Sequence, residues 1–204
     1  AEENAGSGQW RHAVAHLASD TSISEVLLSG GDPLSLSTAK LQTLSDALRP
    51  LAHIRRLRIH TRLPVVLPDR IDAEFQVWLE ALPWPCVMVI HANHANELCD
   101  DVKAALSRLQ ASGAVLLNQS VLLAGVNDDA QVLVDLSERL FACGVMPYYL
   151  HQLDAVKGAG HFAVADSTAV TLHKSLMAAL PGYLVPKLVR EIAGEANKSP
   201  VYGP

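Results

Sequence analysis

Five times along this chain a run of aliphatic residues stops and a short polar cluster follows. The clusters are Ser29-Gly30-Gly31-Asp32, His60-Thr61-Arg62, His91-Ala92-Asn93-His94, Asn118-Gln119-Ser120 and His151-Gln152-Leu153-Asp154. Short apolar runs bounded by polar residues predict buried strands, and near-continuous apolar character predicts parallel ones. A helical pattern follows each cluster. Parallel strands joined by helices cross over right-handed, so such a repeat curls into a barrel or an open doubly wound sheet. In a β/α barrel the strand C-termini converge on one mouth, where active sites are built. The pattern therefore predicts catalytic groups collected at one end of a barrel.

The repeat has a period of about 30 residues, the size of a βαβ unit. Strands are predicted over 23–28, 57–59, 86–90, 114–117 and 146–150. Helices are predicted over 9–17, 37–48, 72–82, 101–110, 128–143 and 167–180. Ser37 is the expected N-cap of its helix, and Gly113 and Gly144 stand where helices end. The first helix has no strand before it, so one strand is expected to be missing on the N-terminal side. Residues 183–191 read as a strand, and the small-residue stretch after it, carrying Lys198, as a loop. Residues 1–181 are thus expected to form a partial β/α barrel, with 182–204 a C-terminal strand and loop packed on the same domain. Taken alone, Lys198 reads as a surface lysine and Glu191 as a solvated charge.

Length and charge narrow the function. The 204 residues fall short of the roughly 250 usual for a full eight-fold barrel. A formal net charge of -5 with no basic run excludes a general nucleic-acid binder. No apolar stretch approaches the roughly 18 residues of a membrane span. Ala1-Glu2-Glu3-Asn4 lacks the basic and apolar regions of a signal peptide, and without a starting Met the chain is expected to be a fragment. Cys86, Cys99 and Cys143 are odd in number with no CxxC, which suits reduced thiols in a cytoplasmic protein.

Four segments carry a resemblance. Leu27-Leu28-Ser29-Gly30-Gly31-Asp32-Pro33-Leu34, Thr61-Arg62-Leu63-Pro64-Val65-Val66-Leu67-Pro68, Asn118-Gln119-Ser120-Val121-Leu122-Leu123-Ala124-Gly125-Val126-Asn127 and Gly158-Ala159-Gly160-His161-Phe162 resemble, in order, the lysine 2,3-aminomutase family. Members are radical S-adenosylmethionine (SAM) enzymes that also use pyridoxal 5'-phosphate (PLP). The ending Gly194-Glu195-Ala196-Asn197-Lys198-Ser199-Pro200 is most similar to the branch that makes β-lysine for modifying elongation factor P.

The resemblance implies a role for each residue. Lys198 would hold PLP, its amine condensing with the cofactor aldehyde and then exchanging for the substrate amine. Asp154 and Glu191 would hold the far ammonium of lysine in a desolvated pocket, since a buried cation is costly unless paired. The free-lysine branch has Asp at the second position, where this chain has Glu191. Ser29, Gly30, Gly31 and Asp32 would lie along the methionine end of SAM, with Asp32 accepting from its ammonium. His91 and Gln119 are candidates for its ribose or carboxylate. The family's [4Fe–4S] cluster sits on a CxxxCxxC loop that this chain lacks, so the resemblance implies a truncated enzyme that cannot by itself reduce SAM. Implied partners are lysine, elongation factor P and its lysylating enzyme, with a homo-oligomer compatible. Two alternatives stay open. His60, His91, His94 and His151 at strand ends admit a metal-dependent barrel hydrolase, although the usual early His-x-His pair is missing. A cofactor-dead barrel serving as a binding module would also explain the absent cysteines.

Overall fold

The structure is a computed structural model that describes residues 7–202; the Ala1-Glu2-Glu3-Asn4 segment lies outside them. Helices α1 (Ser7–Ser19), α2 (Thr38–Leu48), α3 (Leu63–Val66), α4 (Ala73–Glu80), α5 (Asp100–Ala111), α6 (Ala130–Ala142) and α7 (Asp166–Ala179) alternate with strands. The strands are β1 (Glu25–Leu28), β2 (Arg56–Thr61), β3 (Cys86–Ile90), β4 (Val115–Val121), β5 (Met146–His151), β6 (Lys187–Arg190) and β7 (Ser199–Pro200). Among the described residues no helix is long and apolar enough to cross a membrane.

The chain divides into two compact units. One holds the residues up to Ile90 with Ala104–Leu116; the other holds His91–Lys103 with the residues from Leu117 onward. In the first unit β1 pairs with β2 and β2 with β3, all parallel, with Leu28 beside Ile59 and Ile59 beside Met88. The helices between them have clear starts. Ser37 caps α2, its Oγ accepting from Lys40 N at 3.4 Å, and Asp72 caps α4, accepting from Phe75 N at 2.8 Å. The fully buried Ile59, Met88, Leu41 and Phe75 form the core. Phe75 packs on Trp78 with ring centroids 5.1 Å apart, and the Trp78 indole donates to Ser45 Oγ at 3.3 Å. Each such large side chain removed from water contributes about 1.5–3 kcal/mol.

In the second unit β4 pairs with β5 and β5 with β6, again parallel, with Leu150 beside Leu188. Leu122, Leu133, Leu150, Leu176, Leu180 and Leu188 pack together under α6 and α7. Strand β7 runs antiparallel to β6, setting Ser199 beside Arg190. The C-terminal part differs most from expectation. Gly182–Leu184 is a 3-10 turn, so the strand predicted over 183–191 is only Lys187–Arg190, and the predicted loop contains β7. Strand β4 also runs to Val121, beyond the predicted Leu117.

Candidate active site

The glycine turn after β1 is built for close approach. Gly30 and Gly31 have φ of +86° and +54°, in the left-handed region that a Cβ disfavours. A Cβ at Gly30 would meet nothing within 4 Å, so the backbone lies open there. Asp32, next in the chain, is already engaged. Its Oδ1 accepts from Thr61 Oγ1 at 2.6 Å and from Leu34 N at 3.0 Å, and its Oδ2 accepts from Arg62 N at 2.6 Å. Thr61, which is buried, accepts in turn from Leu63 N at 3.1 Å. Arg70 fixes the other side of the turn, donating to Leu34 O at 2.8 Å and Leu36 O at 3.0 Å with its guanidinium over Phe75. The carboxylate ties the end of β1 to the end of β2. Sequence reasoning flagged Asp32 but missed Thr61 and Arg70.

A second group lies in the other unit, around the end of β4. Asn118, buried, accepts from Ala92 N at 2.8 Å and donates to Ala92 O at 3.0 Å and Ser120 Oγ at 2.9 Å. Asn127 donates to Asn93 O and Val121 O, both at 2.9 Å. These amides satisfy loop backbone that has no ladder partner, as buried peptide groups require. They hold His91 and Gln119 side by side, with Gln119 Nε2 2.9 Å from His91 Nε2. Gln119 Oε1 is buried, and among the described residues it has no hydrogen-bond partner.

The third group is at the C-terminal end of the same unit, in two clefts. One, of about 250 Å³, is lined by Asp154, Asp166, Arg190, Glu191 and Gln152. Asp166 is matched by an ion pair with Arg190, and Gln152 Nε2 donates to it at 3.1 Å. The other, of about 640 Å³, is lined by Lys198, Lys187, Lys174, His173, Tyr149 and Tyr202 over an apolar floor that includes Val189. Lys198 Nζ forms an ion pair with Glu191 and stands 5.6 Å from the Tyr149 ring centre. The structure thus brings Asp154, Glu191 and Lys198 together. The desolvated pocket expected around the two acids is instead an open cleft: both carboxylates are exposed. Solvent weakens any charge pairing made there.

The remaining sequence candidates have other work. His94 Nδ1 accepts from Asn96 N at 3.1 Å and caps the turn Ala95–Glu97. His151 meets Tyr149 edge-on at 5.5 Å between ring centres. Among the described residues no three His, Cys, Asp or Glu side chains gather where a metal ion would sit. The cysteines present do not fit a cluster either: Cys86 and Cys143 are buried and Cys99 is exposed. Burial pushes the Cys86 thiol up to about 12, away from the thiolate that ligation needs.

No family model matches the chain. Individual proteins do. The chain is 50% identical over 199 residues to the L-lysine 2,3-aminomutase of Haemophilus influenzae, covering 97% of this chain. It is 45% identical over 201 residues to the L-lysine 2,3-aminomutase of Escherichia coli, covering 98%. It is 39% identical over 189 residues to that of Methanococcus maripaludis, covering 93%. The chain spans 59% of the length of each of the first two relatives and 43% of the third. Among solved structures, a radical SAM methyltransferase from Sphaerobacter thermophilus superposes on 90% of this chain and 55% of its own, with a TM-score of 0.61 at 17% identity. That likeness shows the fold, a partial β/α barrel. By sequence, the chain belongs to the L-lysine 2,3-aminomutase family.

Proposed function

We propose that the protein carrying this segment is a lysine 2,3-aminomutase that moves the amine of L-lysine from C2 to C3 to give β-lysine. The observation that carries the reading is Lys198, an amine set on the wall of a basic, partly apolar cleft and adjoining an acidic one. PLP, when bound, supplies an aldehyde that carries the migrating amine, and SAM with its [4Fe–4S] cluster supplies the radical that starts the migration. The basic cleft suits PLP: an amine faces it at Lys198, cations at Lys187 and Lys174 suit an anionic group, and Val189 and Tyr149 suit a ring. The open Gly30 backbone suits close approach by SAM. Cysteines able to hold the cluster are not among the residues described here.

In this reading Lys198 holds the cofactor between turnovers. Asp154 and Glu191 line the neighbouring cleft, and the open charge of Asp154 draws the far ammonium of lysine there and disfavours a substrate ending in a carboxylate. Ser29, Gly30 and Gly31 let backbone groups approach the methionine end of SAM, and Asp32 fixes their conformation. His91 and Gln119 lie against the ribose or carboxylate. Residues 1–181 supply the barrel part and 182–204 the cofactor-lysine segment. The product serves modification of elongation factor P in the cytoplasm, by way of the enzyme that lysylates that factor. The test is trapping. Full-length protein incubated with PLP and reduced with borohydride should carry the cofactor on Lys198, and Lys198→Ala should lose it. A label on Lys187 or Lys157 in the wild type would refute the assignment.

A further inference from the structure

Glu191 has a partner of its own. Its carboxylate forms an ion pair with the Lys198 ammonium, seven residues on. The intervening loop is shaped for this return. Gly194 sits at φ +88°, Glu195 N donates to Ile192 O at 3.1 Å, and Ser199 donates to the Glu195 carboxylate. Strand β7 then pairs Ser199 with Arg190, the residue before Glu191, which sets Lys198 and Glu191 side by side. The three acids of the small cleft therefore differ. Asp166 is matched by Arg190 and Glu191 by Lys198, whereas no described side chain pairs with Asp154.

We propose that Glu191 is the counter-ion of Lys198, a positioning residue that holds this lysine whenever it is not joined to cofactor, and that Asp154 alone offers an open charge to the substrate ammonium. The inference rests on Lys198 being the cofactor lysine. An amine released from a cofactor at neutral pH becomes a cation, and a cation in a cleft that also carries Lys187 and Lys174 needs a carboxylate beside it. Without one, Lys198 would be repelled toward solvent and away from the reacting position.

The test reads the lysine directly. Cofactor-free full-length protein is labelled with trace acetic anhydride, and acetylation of Lys198 is measured by mass spectrometry relative to Lys187 and Lys174. An ammonium held by a carboxylate presents no lone pair to the reagent. Glu191→Gln should therefore raise the Lys198 ratio about two- to five-fold, the range of an exposed ion pair. Asp154→Asn and saturating L-lysine should leave it unchanged. A ratio unmoved by Glu191→Gln overturns the pairing. A wild-type ratio that L-lysine raises to the Glu191→Gln value overturns the division of roles, since the substrate would then displace Lys198. Borohydride trapping of PLP on a different lysine overturns the functional reading and leaves the labelling result standing, so the two failures are separable.

Discussion

Asp32 lends itself to a quantitative test. Its two oxygens take three donors, Thr61 Oγ1, Leu34 N and Arg62 N. In Asp32→Asn the amide oxygen can keep Thr61 and Leu34, but the amide nitrogen then faces Arg62 N, donor against donor. A hydrogen bond to a charged group is worth about 1.5–3 kcal/mol. Arg62 is exposed, so water recovers part of this, and a loss of about 1–2 kcal/mol is expected. Thr61→Val removes the donor to Asp32 and the acceptor for Leu63 N at a site 1% exposed, which should cost about 1–3 kcal/mol. Thr61→Ser keeps both bonds and should behave as wild type. Trp10, Trp78 and Trp84, all the tryptophans of the chain, lie in the unit that holds Asp32. Tryptophan fluorescence during urea unfolding therefore reports that unit. At a slope of roughly 2 kcal/mol per molar urea, Asp32→Asn should lower the midpoint by about 0.5–1 M. The double variant Asp32→Asn/Thr61→Val should lose at least ~0.5 kcal/mol less than the sum of the two singles, because they share a bond. An unmoved midpoint, or strict additivity, would refute the assignment of Asp32 as the tie between β1 and β2.

Other consequences can be checked separately. Leu188→Ala, in the cluster with Leu150, Leu176 and Leu180, should destabilise the second unit by about 2–5 kcal/mol, read as faster amide exchange in β5 and β6; protection unchanged there would contradict the packing. Cys86 has an ordinary value of 9.0 that burial raises to about 12. Between those values the unfolded chain gives up a proton that the folded chain keeps. Stability is therefore whole below pH 9 and should fall by about 1.4 kcal/mol per pH unit above it from this group alone. In Cys86→Ala the alkaline slope should flatten, and a slope that persists would assign it to other groups. Asp154→Asn in the full-length enzyme should raise the KM for lysine about two- to five-fold, the worth of one exposed charge contact, and an unchanged KM would remove Asp154 from substrate recognition.

What the sequence made legible follows from how much of each signal is local. The cap Ser37 was readable because a capping side chain bonds backbone two or three residues away. Strand β3 matches its expected bounds because Cys86–Ile90 is an unbroken apolar run. Strand β7 left no trace: two residues, one a proline, have no period, and their pairing with β6 depends on a loop that must first turn back. Thr61 was visible only as one polar residue after a strand. Its importance comes from Asp32, 29 residues earlier, and no periodicity links the two. Asn118 and Gln119 stood out as a cluster, while Asn127, which closes the same network, was marked only as the last residue of a segment that carries the resemblance. Glu191 and Lys198 were each marked by resemblance. Their pairing needed the fold, because a contact across seven residues through a left-handed glycine has no sequence signature.

The most direct measurement follows the nitrogen. Full-length protein, reconstituted anaerobically with its cluster, SAM and PLP, is given L-lysine labelled at its α-nitrogen, and the products are analysed by mass spectrometry and NMR. The account predicts β-lysine carrying the label on the C3 amine, with no loss of label to solvent, and no such product from Lys198→Ala. Recovery of unchanged lysine from a preparation that cleaves SAM, or β-lysine formation undiminished in Lys198→Ala, would contradict it.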